Sequence, residues 1–262
     1  MVRGLYTAAS GMMAASMQEE VIARNLANAD TPGYAPLQAQ ITEFAPMLVS
    51  AVQGPGSGTS MLLAGGYQPL GTVGMLGSGD LIAQTPASYT AGTIQQVSNP
   101  LAAALSGAGY FVVRTAQGLR YTRDGDFTIN ATGQLATRSG DPVLGSNGGP
   151  ITVQAGATLQ DGGNVLSGGR VVGRLRVVNA RAPMNLVPVN GSLLADPGSA
   201  GITNIAQPVI QAGALGMPGL DAGQQMTNLI EAERAYGSSQ SMLMTTDQTL
   251  NAAVTDVGKA LA

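Results

Sequence analysis

Towards the carboxy end, apolar residues recur on a seven-residue period: Leu229, Tyr236, Leu243, Leu250 and Val257. No proline interrupts residues 222–262, so the period predicts one long helix with a seam. A second series, Met226, Glu233, Gln240, Asp247, Val254 and Leu261, makes that seam apolar at both ends and polar in its middle. At about 1.5 Å per residue the helix is roughly 60 Å long and needs a partner along its length. Near the start, Leu5, Ala8, Met12, Ala15, Glu19, Ile22 and Leu26 recur at spacings of three and four and predict a second seamed helix. It stops where Asn28-Ala29-Asp30-Thr31-Pro32-Gly33 combines helix-ending and turn chemistry. Two arrangements fit: an antiparallel pair packed on one domain, or helices that pair with other subunits. Ala8, Ala9, Gly11, Ala14, Ala15 and Ser16 favour the second, because small residues allow close helix approach in a crowded assembly.

Between the helices the period changes to two. Tyr110–Arg114 reads as a strand, followed by a Gln117-Gly118 turn and Leu119–Thr122. Phe127–Asn130 and Gln134–Thr137 continue what reads as a β-meander, with turn residues about every nine positions. Further strands are predicted at 151–153, 171–178 and 186–189, with Asn190-Gly191 as a type I′ hairpin turn. Ala35–Ser50, with prolines at 36 and 46, suggests a short helix or extended arm; Gln53–Gly79 is glycine-dominated and reads as a linker. The expected architecture is α+β, mainly β: long amino- and carboxy-terminal helices forming a coiled-coil-like helical domain, with a central all-β domain. The expected boundaries are 1–34 (helical segment), 35–100 (arm and linker), 101–215 (β domain) and 216–262 (final helix, packing with the first). The two ends of the β domain must leave together, since one returns to each helix.

Composition narrows the chemistry. The chain has no cysteine and no histidine, which removes disulfides, thiolate nucleophiles, imidazole bases and Cys/His metal sites. A net charge of -3 argues against nucleic acid as a partner, because phosphate binding needs a basic surplus. Asp124, Asp126, Thr128 and Asn130 alternate like the start of a calcium loop, but Ile129 stands at the glycine position and Leu135 at the final glutamate position. They read as turn residues flanking a strand. Arg170, Arg174, Arg176 and Arg181 form the densest basic group, with Arg174 and Arg176 expected on one sheet face as a solvated or intersubunit surface. The glycine-rich tract lacks the Gly-x-x-x-x-Gly-Lys of a phosphate loop. No catalytic residue, cofactor, metal or small-molecule substrate is expected. The opening Arg3-to-Ala15 stretch looks like a signal peptide, but its stripe runs on to Leu26, so it reads as retained helix.

Asn25-Leu26-Ala27-Asn28-Ala29-Asp30-Thr31-Pro32-Gly33-Tyr34 resembles the amino-terminal signature of the bacterial flagellar rod and hook proteins. Gly109–Val113, Tyr121–Phe127 and Gly133–Leu135 resemble that family's central β block, Gly173–Leu175 a later strand, and Met226–Tyr236, containing Arg234 and Ala235, with Asp247-Gln248 its carboxy-terminal helix. The opening Arg3-Gly4-Leu5-Tyr6-Thr7-Ala8 and the single modest β region resemble rod subunits, not the longer hook subunit. Two departures leave the proximal or distal rod position open: Ala35 stands where members usually carry a basic residue, and Gly216–Leu220 where they usually have Glu-x-Ser-Asn-Val. The resemblance implies a structural, non-enzymatic subunit in the basal body, exported uncleaved by the flagellar type III apparatus. Its partners would be copies of itself and other rod or hook subunits, in a tube that transmits motor torque. The assembly surface would then be Leu5, Met12, Ile22, Leu26, Met226, Leu229, Tyr236, Leu243, Leu250, Val254 and Val257. A secreted carbohydrate-active or adhesive β domain is the alternative; Asp124 and Asp126 would have to supply its carboxylate pair.

Overall fold

A computed structural model describes residues 2–43, 47–52, 69–76, 80–84 and 91–260. Helix α1 (Val2–Ala27) is followed by strands β1 (Gln40–Glu43), β2 (Met47–Val52), β3 (Pro69–Leu76), β4 (Asp80–Gln84), β5 (Ala91–Gln96) and β6 (Ala103–Leu105). Next come β7 (Tyr110–Thr115), β8 (Gly118–Thr122), β9 (Thr128–Ile129), β10 (Leu135–Ala136), β11 (Thr158–Gln160), β12 (Asn164–Ser167) and β13 (Arg170–Arg174). The chain continues through β14 (Val177–Ala180), β15 (Val187–Asn190), β16 (Leu193–Ala195), β17 (Ile202–Asn204), β18 (Ile210–Ala212) and β19 (Ala214–Pro218) to helix α2 (Ala222–Ala260). Two compact units result. One holds Met1–Glu19, Gln40–Gln84 and Ile230–Ala262; the other holds Glu20–Ala39 and Thr85–Leu229.

The second unit is built on a six-stranded sheet, ordered β15-β16-β8-β7-β14-β17. β7 explains why this sheet is buried on both faces. Phe111 and Val113 point into one apolar cluster with Phe127, Leu135, Val143 and Leu175, while Tyr110 and Val112 point into another with Tyr121, Leu144, Val178 and Leu186. Period-two alternation of large apolar residues thus fills two cores from one strand. In the first, the Phe111 and Phe127 rings meet edge to face, centroids 5.1 Å apart. The domain's ends do leave together: β6 pairs with β18, and β5 with β19.

Several local expectations are corrected. The meander is two separate hairpins, β7-β8 and β9-β10, because the free edge of β8 is taken by the distant β16. The 151–153 segment is no strand; Thr152 makes a single bridge to Gln134. The expected 171–178 strand is broken into β13 and β14, which lie in different sheets, with buried Leu175 at the crossing. Arg174 and Arg176 therefore do not share a strand face: Arg174 Nε donates to the Gly162 carbonyl, and Arg176 Nε to Asn204 Oδ1. The β15-β16 hairpin turns one residue later than expected, with Asn190 paired to Leu193 and Gly191 at φ 52°.

In the first unit, 40–43 and 47–50 are strand, not helix, and 69–76 is strand, not linker; residues 44–46 of the expected arm lie outside the described residues. β1 pairs with β4 and β2 with β3, all antiparallel, so the two inner strands nest within the outer two. Val49 and Val52 on one leg and Thr72 and Val73 on the other favour extended backbone, which the surrounding glycines mask in a reading by composition. Residues 53–68 and 77–79 of the expected linker lie outside the described residues. No helix among the described residues is long and apolar enough to cross a membrane.

Candidate assembly helices and the connector behind them

α2 starts at a built cap: Asp221 Oδ1 accepts the Gly223 and Gln224 amides at 2.8 and 3.3 Å. Along the helix the hydroxyls of Thr227, Ser241, Thr245, Thr246, Thr249 and Thr255 each donate to the carbonyl four residues back, satisfying themselves within the helix. Apart from Gln225, Asn228 and Gly237, the less exposed positions are Leu229, Ala232, Tyr236, Ser239, Leu243, Thr246 and Leu250. Most of these positions fall into two seven-residue series, of which the first is the expected one and the second is not. Ala232, Ser239 and Thr246 take the second series, three residues after the leucines. Met226, Glu233, Gln240, Asp247 and Val254 instead line an adjacent face, and all are exposed. A period of seven is shared by both flanks of a leucine row, so sequence spacing alone cannot choose between them; in the structure the flank of small side chains, Ala232, Ser239 and Thr246, is the less exposed one.

That neighbour is α1, within the first unit. A Cβ on Gly11 would lie 3.2 Å from Ser239 Oγ, tighter than ordinary van der Waals contact, so the two helices meet at this glycine. One groove is lined by Ala9, Met12, Met13, Ser16 and Met17 of α1 with Tyr236 and Leu243 of α2; another by Gly4 with Met242, Thr245, Thr246 and Thr249. Residue numbers rise along one helix as they fall along the other, so the two run antiparallel. On α1 the expected stripe is the covered one: Ala8, Ala15 and Ile22 are buried, and Leu5, Met12, Glu19 and Leu26 are half-buried. Large apolar side chains remain outside on both helices: Tyr6, Met13, Met17, Met226, Ile230, Met242, Met244 and Val254. Val257 lies in the last turns of α2. Arg234 and Ala235 are exposed and face away from the covered seam.

The signature that follows α1 is a folded connector. Asn25 is buried, and its amide acts as a surrogate backbone: Nδ2 donates to the Leu37 carbonyl at 2.8 Å, while Oδ1 accepts the Leu37 amide at 2.9 Å and the Tyr34 hydroxyl at 3.1 Å. Asn28 closes the helix end, with Nδ2 donating to the Arg24 carbonyl and Oδ1 accepting the Thr31 hydroxyl. Thr31-Pro32-Gly33-Tyr34 is a β-turn in which the Tyr34 amide donates to Thr31, and Gly33 sits at φ 68° as the Pro-Gly order requires. The Gly33 amide then donates to the Gly216 carbonyl of β19 at 2.9 Å. Tyr34 is buried, and that burial raises its hydroxyl pKa, partly offset by Arg24.

The connector lies on the loop 122–127 of the β domain. Arg123, itself buried, donates from Nε and Nη2 to the carbonyls of Gly109 and Gly107 at 2.8 and 2.6 Å, and its guanidinium stands 5.3 Å from the centre of the Tyr110 ring. Asp124 Oδ1 accepts the Asp126 amide, and Asp126 is held in turn by Arg138 and Asn99. Burial lifts the Asp124 carboxyl to about 6, with the Asp126 carboxylate adding to the rise while the Asp126 amide and Arg138 oppose it. Gly125 leaves room for β6: a Cβ there would fall 1.7 Å from the Ala103 carbonyl oxygen. Asp124 thus serves the loop's own turn, and Asp126 ties the loop to Asn99 and Arg138. Among the described residues no group of His, Cys, Asp or Glu is placed to hold a metal ion. Sequence reasoning missed the burial of Arg123 and the fit of Gly33 against this loop. It also missed that Ala35 is buried in the second apolar cluster, a place a long basic side chain could not enter without moving the connector.

Three family models match the chain in order. Residues 5–34 match one described as flagella basal body rod protein, residues 104–171 the flagellar hook protein FlgE/F/G D1 domain, and residues 211–255 the carboxy-terminal domain of flagellar basal body rod FlgEFG proteins. Together they span more than half of the chain and cover α1 with its connector, the central strands and α2. The basal-body rod protein FlgG of Buchnera aphidicola (subsp. Baizongia pistaciae) is 27% identical, the alignment covering 95% of this chain and 98% of that protein. The hook-basal body complex protein FlhO of Bacillus subtilis is 28% identical over 99% of this chain and all of its own length, and FlgF of Caulobacter vibrioides 29% identical over 99% of each. With all three signatures in the family's order and end-to-end similarity to its members, the chain belongs to the flagellar basal-body rod protein family.

Proposed function

We propose that this chain is a structural subunit of the flagellar basal-body rod that polymerises through its terminal helices into a torque-transmitting tube. The observation that carries the reading is the uncovered second face of α2. A helix of 39 residues uses one seam against α1 and leaves Met226, Ile230, Met244 and Val254 in solvent on the next. A helix with two adjacent seams has a use for both when it is surrounded by neighbours, as in a tube, and a heterologous contact that does not close on itself extends indefinitely. The helical segments 1–34 and 216–262 would form the shaft, paired as in a coiled coil, and 101–215 its outer domain. Partners are further copies and other rod or hook subunits, and delivery is by the flagellar type III export apparatus without cleavage. The role is mechanical and needs no cofactor. A carbohydrate-active role has no support in the three family matches. The test is cellular: the epitope-tagged protein should co-purify with isolated basal bodies and be resolved in the rod, and its absence from them would overturn the reading.

A further inference from the structure

The helical unit displays thioethers. Met13 is 70% exposed, Met17 44%, and Met242 and Met244 each 54%. Met13 and Met17 line the groove that also contains Met12, Tyr236 and Leu243, while Met242 lines the groove beside Gly4. Flexible thioethers suit a surface that must fit several neighbours, and they are also the side chains a two-electron oxidant converts from apolar to polar. No histidine or cysteine competes for that oxidant anywhere in the sequence. We infer that Met13, Met17, Met242 and Met244 form a peroxide-sensitive modification site that controls assembly: the free subunit is oxidised there and loses its capacity to join the rod, whereas a subunit already packed is shielded. In the step, the methionine sulfur attacks one oxygen of hydrogen peroxide. An S–O bond forms, the O–O bond breaks, the sulfur is oxidised to the sulfoxide, and the departing hydroxide takes the remaining peroxide proton and leaves as water. The inference rests on the helical assembly proposed above and adds its chemical sensitivity.

The test has two arms on the full chain. Purified protein is treated with hydrogen peroxide, and mass spectrometry follows oxygen addition at each methionine; the four should react ahead of half-buried Met12 and Met217. In a strain lacking its own copy, Met13→Gln/Met17→Gln, which mimics sulfoxide polarity, should lose basal-body incorporation, whereas Met13→Leu/Met17→Leu should keep it. Met184→Gln, at an equally exposed site in the β domain (54%), should also keep it. Thermal melts of the purified variants, expected to match the parent, show that loss is not misfolding. Normal incorporation of Met13→Gln/Met17→Gln, or Met12 reacting first, overturns the inference; so does loss in the Leu pair, which would make shape and not polarity decisive. Val254→Asp, run alongside, tests the assembly reading by itself: if it incorporates normally, that reading fails, whatever the methionines do.

Discussion

Gly33 and Asp124 touch backbone to backbone: a Cβ on Gly33 would stand 2.0 Å from the Asp124 nitrogen. The same glycine is held at φ 68°. Gly33→Ala therefore meets both a left-handed backbone penalty and a clash that no rotamer relieves. It should cost at least about 2 kcal/mol, read as a lower Tm of the β domain. Gly140→Ala shares the positive φ (93°) but has nothing within 4 Å, so it should cost only the backbone part, about 1 kcal/mol.

Asn25 spends its amide on three groups, so the bond from Tyr34 is coupled to it. Tyr34→Phe should destabilise by about 1 kcal/mol in the parent and by much less in an Asn25→Leu background, where the acceptor is already gone. Asn25→Leu itself should cost more, about 2 to 3 kcal/mol, because it strands the Leu37 amide and carbonyl. A double-mutant cycle by urea denaturation measures the coupling. Independent effects would contradict the connector described here.

Asp124 makes the β domain's stability depend on pH in a defined direction. Its folded pKa, about 6, lies above the ordinary 3.8, so the folded state holds the proton more tightly. That contribution is fully present below about pH 4 and is lost as pH rises through about 6. Asp124→Asn, which keeps an acceptor for the Asp126 amide, should be neutral near pH 4 and stabilising above pH 7 by up to about 3 kcal/mol. Melts across pH 4 to 8 check it; an effect independent of pH would show that Asp124 is not buried as described.

Chelation offers a simpler check. The carboxylates and amide of the Asp124-to-Asn130 run are engaged within the protein: Asp124 Oδ1 accepts the Asp126 amide, Asp126 accepts from Asn99 and Arg138, and Asn130 Oδ1 accepts the Thr132 and Gln134 amides. EDTA should leave the melting temperature of the β domain unchanged. A fall of several degrees, reversed by calcium, would mean that these oxygens bind a cation.

Features set by nearest neighbours were legible in the sequence. Helix α1 ends where Asn28 and Thr31-Pro32-Gly33 say it must, and the β7-β8 hairpin forms where expected, although its loop is Ala116-Gln117, one residue earlier than the expected Gln117-Gly118, because Gly118 already pairs with Thr115. Features set by distant partners were not. Nothing local to 47–52 says that it pairs with 69–76, and nothing local to 175–176 says that the chain changes sheets there. The heptad on α2 was legible as a period but not as a direction, since Met226, Glu233 and Gln240 keep the same period as Ala232, Ser239 and Thr246. Nothing local in the sequence marks Arg123 as buried; the carbonyls of Gly107 and Gly109 converging on it make a buried arginine tolerable.

The covered and open faces of α2 should respond differently to charge. Leu243→Asp places a carboxylate in the half-buried seam and should weaken the pairing of α1 with α2 as well as assembly, seen as lost helical circular dichroism and no basal-body incorporation. Asp247→Leu alters only the open face; it should fold normally and change incorporation or motility.

The most direct measurement uses the open face alone. Val254 is 71% exposed, so Val254→Asp should leave the circular dichroism and thermal melt of the purified protein unchanged. Expressed in a strain whose own copy is deleted, the variant is then quantified in isolated basal bodies beside the parent. If α2 polymerises through this second seam, the variant should be missing from the basal bodies and the cells non-motile. Normal incorporation and swimming would contradict the claim that the uncovered face of α2 is the assembly surface.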